Sequence, residues 1–151
     1  MCIRDRINSY TLQLLDVSSN QILSKIKSYK GKKAVILNIW ALWCKPCVEE
    51  FPMIVGLDSV YNDLEVLFVN TDFEDQRVEV KKFLKSHNII GESYFKSEKD
   101  ESFINALEES WNGTLPFTIA YSKTSGEVVD SWMGLEPENR FRSAIEKAIN
   151  L

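Results

Sequence analysis

Two cysteines separated by two residues, Cys44 and Cys47, follow an apolar run and precede a segment of helical character. The run, residues 34–40, is apolar almost throughout, as in a central strand covered on both faces of its sheet. Pro46 suits the first turn of a helix, where its missing N–H costs nothing. The sequence therefore predicts two thiols at a helix N-terminus, which can close a disulfide and can stabilise one thiolate.

The composition fits a single globular domain, which we place at residues 10–151. The chain has 151 residues, of which 44% are hydrophobic and 26% are charged, enough to bury a core. Its net charge of −4, with dispersed Lys and Arg, argues against nucleic-acid binding. No stretch reaches the ~18–20 apolar residues that span a bilayer. We expect a soluble, monomeric domain.

Residues 1–9 do not read as the start of a fold. They carry charges with no apolar run behind them, so they are not a secretory signal. We interpret them as a non-native or disordered leader, similar to the adapter-derived openings of incompletely assembled genes. On this interpretation a native signal peptide or membrane anchor is lost upstream. Cys2, the third cysteine of the chain, is then an incidental thiol.

Alternating and amphipathic segments predict the remaining elements. We expect an N-terminal hairpin of two strands, at 10–15 and 21–23. Further strands are expected at 34–40, 64–70, 93–96, 117–121 and 127–133. Helices are expected at 25–29, 46–61 and 74–87, with two more that begin at residues 100 and 137. Parallel pairing comes first along the chain and an antiparallel hairpin comes last. This order indicates an α/β fold, a central mixed sheet with helices on both faces.

Three segments resemble the TlpA/ResA-like branch of the thioredoxin-fold thiol–disulfide oxidoreductases. They are residues 38–47, residues 50–52 (Glu-Phe-Pro) and residues 113–117 (Gly-Thr-Leu-Pro-Phe). The resemblance runs over nearly the whole chain, from about residue 10. It implies a thioredoxin fold, and the predicted N-terminal β-hairpin extension is also typical of that branch.

Disulfide exchange needs a nucleophilic thiolate and a second thiol that resolves the mixed disulfide. Cys44 stands at the helix N-terminus, where the helix dipole and unpaired N–H groups stabilise a thiolate, so we assign it as the attacking thiol. Cys47, one turn further on, is expected to be more buried and to act as the resolving thiol. The structural alternative is an inert disulfide or a pair of core cysteines.

Five residues around the cysteines are expected to bind substrate. The resemblance implies that Pro116 is a cis-proline beside the cysteines, which leaves the backbone N–H and C=O of Leu115 free to pair with an extended substrate. Trp43 is the candidate for an exposed docking surface. Lys45 and Pro46, between the two cysteines, complete the expected surface.

The acid–base group is the least defined part of the pattern. Asn38 stands where thioredoxins proper have a buried Asp, and some TlpA/ResA-like members use a Glu at the end of the next strand instead. Glu74 and Asp72 are the candidates in that region. The alternative is that both acids belong to a solvated turn that caps a helix.

The direction of electron flow rests on the resemblance, which favours a reductase. An exposed cation such as Lys45 stabilises the thiolate by ~0.3–1 kcal/mol, which shifts the reduction potential by roughly 6–20 mV. Reduction potentials of proteins with this fold differ by ~150 mV, so Lys45 does not decide the direction. We expect protein disulfides as substrates, an electron-donating redox partner and no bound cofactor, since the electrons reside in the thiols. The expected location is the periplasm or the outer face of a membrane, and the alternative is the cytoplasm. The expectation includes a membrane tether on the native protein.

Two other classes of function are alternatives. A thiol peroxidase of this fold would want a Thr three residues before its reactive Cys, and that position is Ala41. A dithiol that binds zinc or copper would want further ligands nearby, and the chain has one His, His87, distant in sequence and at a predicted helix end. We therefore expect no metal site.

Overall fold

The computed structural model describes residues 11–97 and 99–151, and these form one six-stranded sheet. The strands are β1 (Gln13–Val17), β2 (Ala34–Trp40), β3 (Leu64–Asn70), β4 (Glu92–Lys96), β5 (Phe117–Tyr121) and β6 (Val128–Met133). Their order across the sheet is β1-β4-β3-β2-β5-β6. The first four of these strands run parallel, while β5 is antiparallel to β2 and β6 is antiparallel to β5.

Helices cover both faces of the sheet, as the sequence predicted. They are α1 (Ser19–Lys27), α2 (Lys45–Val60), α3 (Arg77–Ser86), α4 (Asp100–Leu107) and α5 (Glu138–Asn150), with a 3-10 turn at Glu74–Gln76. Helices α2, α3 and α5 pack on one face, and α1 and α4 pack on the other. No helix in the described part of the chain is long and apolar enough to cross a membrane.

Strand β2 is the centre of the fold and leads to the dithiol. Every one of its residues is buried, as expected for a strand with neighbours on both edges and helices on both faces. Its partners are β3, in a parallel register that sets Trp40 opposite Asn70, and β5, in an antiparallel register that sets Ile39 opposite Phe117. The end of β2 therefore lies between the end of β3 and the start of β5.

The predicted N-terminal β-hairpin is wrong. Residues 21–23 lie in helix α1, because Ser18 and Gln21 form a capping box in which each side chain accepts a hydrogen bond from the other residue's backbone N–H, at 3.2 and 2.8 Å. Ile22 and Ile26, at helical spacing, are buried against the sheet. The first strand extends to Val17 and pairs in parallel with β4 rather than with a hairpin partner. The predicted leader lies outside the described residues.

Candidate active site

The two cysteines lie at the N-terminus of α2 and form a disulfide with a Cα–Cα distance of 5.3 Å. Cys44 is the N-cap residue, in an extended conformation, and its sulfur accepts a hydrogen bond from the backbone N–H of Cys47 at 3.4 Å. The sulfur thus occupies the place that a Ser or Asp oxygen takes at an ordinary helix start. Cys44 is 4% exposed and Cys47 is 1% exposed, in the order that the sequence predicted.

The loop between β2 and α2 is anchored by hydrogen bonds to residues at the end of β3. The carboxylate of Asp72 accepts hydrogen bonds from the backbone N–H of Leu42 at 2.7 Å and from the side-chain amide of Asn70 at 2.8 Å. The backbone N–H of Thr71 donates to the carbonyl oxygen of Trp40 at 2.9 Å. Because these bonds fix the chain just before Trp43, they position the start of α2.

The residues expected to bind substrate lie near the dithiol, either next to the cysteines in sequence or beside the end of β2 through its pairing with β5. Trp43 is 72% exposed although it is a large aromatic residue, and Lys45 is also exposed. The Leu115–Pro116 bond is cis, as predicted. Pro116 immediately precedes Phe117, which pairs with Ile39, so it lies beside the end of β2 that leads to the cysteines.

The two predicted acid–base carboxylates have other partners. Asp72 is buried and bonds to Leu42 and Asn70. Glu74 is exposed and accepts two hydrogen bonds from Arg77, at 2.7 and 2.9 Å, which lower the pKa of its carboxyl. Within the described residues, neither carboxylate bonds to a cysteine. The structure thus places Asp72 under the loop and Glu74 on the surface.

A third carboxylate, Glu50, is buried close to the dithiol. It lies one turn after Cys47 on α2, a spacing that puts the two side chains on the same side of the helix. The side-chain amide of Asn38, in the middle of β2, is 3.4 Å from the Glu50 carboxylate and 3.2 Å from the hydroxyl of Thr118 on β5. Glu50, Asn38 and Thr118 thus form a small polar group between α2 and the sheet.

Burial raises the pKa of the Glu50 carboxyl to about 7. Removal from water disfavours the charged form, and the backbone N–H of Glu136 and the Asn38 amide offset only part of this effect. The negative charge of Glu136 adds to the increase. Glu50 therefore changes its charge near neutral pH, as general acids and bases do.

Sequence reasoning missed Glu50 as a site residue, since a Glu in a helix is usually solvated. A signal for it was nevertheless present. Its spacing from Cys47, together with the isolated polar residue Asn38 in an apolar strand, pointed to a buried polar contact. The missing information was which face of α2 packs on β2.

The described residues contain no group of three or more His, Cys, Asp or Glu side chains placed to hold a metal ion. His87 lies at the C-cap of α3, with its Nδ1 2.9 Å from the carbonyl oxygen of Phe83. Its ring packs against Phe83 and Phe51, with ring centroids 4.1 and 5.4 Å apart. These contacts give His87 a structural place at the helix end.

A mixed sheet with a dithiol helix after its central strand defines the thioredoxin fold, and solved structures agree. The chain is similar to a thiol:disulfide interchange protein of the thioredoxin family from Chlorobium tepidum TLS, with a TM-score of 0.66 and 24% identity over 81% of this chain and 83% of that one. It is also similar to a secreted thiol-disulfide isomerase from Corynebacterium glutamicum, with a TM-score of 0.65 and 16% identity over 83% and 75% of the two chains.

Sequence similarity places the chain within this class. The thiol-disulfide oxidoreductase ResA of Bacillus cereus is 28% identical over 123 residues, which are 82% of this chain and 67% of that protein. The AhpC/TSA family matches residues 3–143, so the chain belongs to the AhpC/TSA family. It is a ResA-like thiol–disulfide oxidoreductase whose Cys-x-x-Cys pair is Cys44 and Cys47.

The buried carboxyl makes stability depend on pH. With the disulfide intact, Glu50→Gln should match the native protein in free energy of unfolding near pH 4.5 and exceed it by up to about 3 kcal/mol above pH 8. The sign follows because the native state keeps the Glu50 proton in a range where the unfolded state has lost it, so stability falls as pH rises from about 4.5 to about 7. Urea unfolding across this range measures the difference.

The matched control is Glu49→Gln, which removes the same charge from the exposed neighbouring position. Its unfolding free energy should follow that of the native protein across the pH range to within about 0.5 kcal/mol. A Glu50→Gln curve parallel to the native curve at every pH would contradict the buried titration.

Proposed function

We propose that this protein reduces disulfides in protein substrates through Cys44 and Cys47. The observation that carries the proposal is the dithiol at the start of α2, where the Cys44 sulfur accepts the Cys47 N–H beside the exposed Trp43. The same N–H and the positive end of the helix dipole would stabilise the Cys44 thiolate once the disulfide is reduced. The resemblance of the sequence to the TlpA/ResA-like branch favours reduction as the direction.

The reaction proceeds in two exchanges. The Cys44 thiolate attacks one sulfur of a substrate disulfide, forms a mixed disulfide with it and expels the other substrate sulfur as a thiolate, which takes up a proton. Cys47 then loses its proton and attacks the Cys44 sulfur, which closes the Cys44–Cys47 disulfide and releases the second substrate thiol. Two electrons pass from the protein thiols to the substrate. The two substrate thiolates take up one proton each, and these correspond to the proton lost by Cys47 and to the proton that Cys44 released to water when it became a thiolate.

Glu50 is our candidate for the group that accepts the Cys47 proton. Cys47 is almost inaccessible to water, so a base for its thiol must come from within the protein. Glu50 is buried on the same side of α2, and its pKa of about 7 lets it accept a proton and give it up again near neutral pH. Asp72 and Glu74, the candidates from the sequence, are engaged with Leu42 and Arg77 instead.

Substrate binding is assigned to the surface around the dithiol. The backbone N–H and C=O of Leu115 pair with an extended substrate segment, as in strand addition. Trp43, Lys45 and Pro46 are assigned to the same substrate surface, and Pro116 is assigned a place beside the reacting sulfurs. This arrangement binds a substrate through its backbone and so admits proteins of differing sequence.

The catalytic cycle requires an electron donor that returns the Cys44–Cys47 disulfide to the dithiol. We propose a monomeric domain that works outside the cytoplasm. The likeness of the fold to the secreted thiol-disulfide isomerase from Corynebacterium glutamicum supports this location.

Single cysteine variants separate the two thiol roles. In a Cys2→Ser background, which leaves Cys44 and Cys47 as the only cysteines, the protein should accelerate insulin reduction by dithiothreitol. Cys44→Ser should abolish the acceleration, because the attacking thiolate is gone. Cys47→Ser should accumulate a mixed disulfide between Cys44 and the substrate, detected by mass spectrometry under non-reducing conditions. Acceleration retained in Cys44→Ser would overturn the assignment of the nucleophile.

The base role of Glu50 is tested on the second exchange alone. With the mixed disulfide formed by rapid mixing and then quenched by alkylation, Glu50→Gln should slow its resolution by about 10²-fold at pH 7, because a general base contributes about that factor. In the native protein the resolution rate should rise with pH and level off above about 7, and Glu50→Gln should lack this inflection. Glu49→Gln should behave as native, and equal resolution rates in the two variants would exclude the role.

A further inference from the structure

The sheet has an opening between β3 and β4, at the end that lies away from the dithiol. The ladder between these strands joins the last two residues of β3, Val69 and Asn70, to β4. Before that point, residues 65–68 of β3 line a cavity of about 390 Å³ that separates them from the start of β4. The dithiol follows Trp40, which pairs with Asn70 at the opposite end of β3, so the cavity is separate from the active site.

Acidic side chains outnumber basic ones at this cavity. Asp58, Glu65, Glu92 and Lys25 line it. Lys25 lies 3.9 Å from the Glu92 carboxylate, and Lys33, which stands outside the lining, lies 3.5 Å from Glu65. Lys33 also attracts Asp58, which forms no ion pair of its own with the described residues. Three carboxylates therefore face two ammonium groups, and the cavity has an excess of negative charge.

Water screens these charges incompletely. Burial raises the pKa of the Asp58 and Glu65 carboxyls, and the ammonium of Lys33 offsets only part of this effect. Burial also raises the pKa of the Tyr29 phenol, and the negative charges of Glu65 and Glu92 add to the increase. A cation in this cavity would thus be attracted more strongly than a cation on an open surface.

A buried hydroxyl group at the cavity has no partner. Ser93, on β4, lines the cavity and is 2% exposed, and its hydroxyl oxygen makes no hydrogen bond to any described residue. Buried polar groups are almost always hydrogen-bonded, because an unpaired one loses its hydration without compensation. The Ser93 hydroxyl therefore indicates that the cavity has a polar occupant.

The rest of the wall is mainly apolar. It comes from Val55, Val66, Leu67, Phe68, Ile89 and Ile90. Ile90 is 57% exposed, so apolar surface continues from the cavity to its rim. The loop that carries the two isoleucines is bounded by Asn88 and Gly91, whose φ values of 61° and 74° are left-handed. This wall can contact a short alkyl chain.

We propose that the cavity binds a small organic cation, a primary amine or guanidinium group on a short apolar chain. The charged group lies among Asp58, Glu65 and Glu92 and donates a hydrogen bond to the Ser93 hydroxyl, and the chain contacts the apolar wall. The volume is within the ~300–1,000 Å³ of typical small-molecule sites. This site goes beyond the proposed function and does not depend on it.

A metal ion does not suit the same carboxylates. In the part of the chain that the structure describes, no three acidic, Cys or His side chains are placed to hold one. A metal ion needs ligand oxygens that converge at about 2.0–2.6 Å. An ammonium or guanidinium group has several N–H donors and can satisfy carboxylates that lie further apart.

Two probes with the same alkyl chain, 1-pentylamine and 1-pentanol, test the preference for a cation. Each is titrated into the isotope-labelled full chain at pH 7 and constant ionic strength, and backbone amide shifts are followed by NMR. Pentylamine should shift the amides of Leu67, Phe68 and Ser93 saturably, with a Kd of about 1 mM. Pentanol should bind at least about tenfold more weakly, because it lacks the charge.

Three variants locate the binding. Asp58→Asn keeps an oxygen that can accept the Val66 N–H, as Asp58 does, and should raise the Kd for pentylamine about fivefold. Ser93→Ala should raise it about threefold without lowering the Tm, because the hydroxyl has no partner in the free protein. Glu49→Gln removes a charge from an exposed position on the same helix as Asp58 and should keep the native Kd.

The possible outcomes are distinct. Saturable binding that Asp58→Asn and Ser93→Ala weaken, and that Glu49→Gln does not, supports the site. Shifts that do not saturate, or that spread over the acidic surface, would overturn it. Equal Kd values for pentylamine and pentanol would also overturn it, as would an equal increase in Asp58→Asn and Glu49→Gln. Insulin reduction tests the proposed function independently of all these results.

Discussion

The rest of the active site depends on the way helix α2 begins. A helix N-terminus leaves backbone N–H groups without partners, and here the sulfur of Cys44 accepts one of them, from Cys47. The same groups stabilise negative charge on that sulfur, so a requirement of helix formation coincides with a requirement of thiol chemistry. The start of the helix is in turn fixed by Asp72, whose carboxylate holds the backbone N–H of Leu42.

The buried Glu50 shows a conflict between stability and chemistry. A carboxyl group packed between α2 and the sheet opposes folding at neutral pH, because burial disfavours its charge and the Asn38 amide compensates for only part of the loss. A glutamine of the same shape would fit this site with less penalty. A titratable group one turn from Cys47 is useful where a proton must leave a thiol that water cannot reach.

Most of the fold could be predicted because β2 and the later elements have strong, long patterns. The N-terminal region could not, because a short apolar segment can be strand or helix, and the capping box of Ser18 and Gln21 decides for helix. The cysteine positions follow from local sequence alone. The burial of Glu50 could not be predicted from local sequence, because it depends on the packing of α2 against Asn38 on a separate element.

The central claim is that the start of α2 makes Cys44 the reactive thiol and leaves Cys47 protected. The most direct measurement is the rate at which iodoacetamide modifies each cysteine of the reduced protein at pH 7, followed by peptide mass spectrometry. We expect Cys44 to be modified at least about tenfold faster than Cys47, and faster than the same cysteine in the urea-unfolded chain. Modification of Cys47 first, or of Cys44 no faster than in the unfolded chain, would contradict the account.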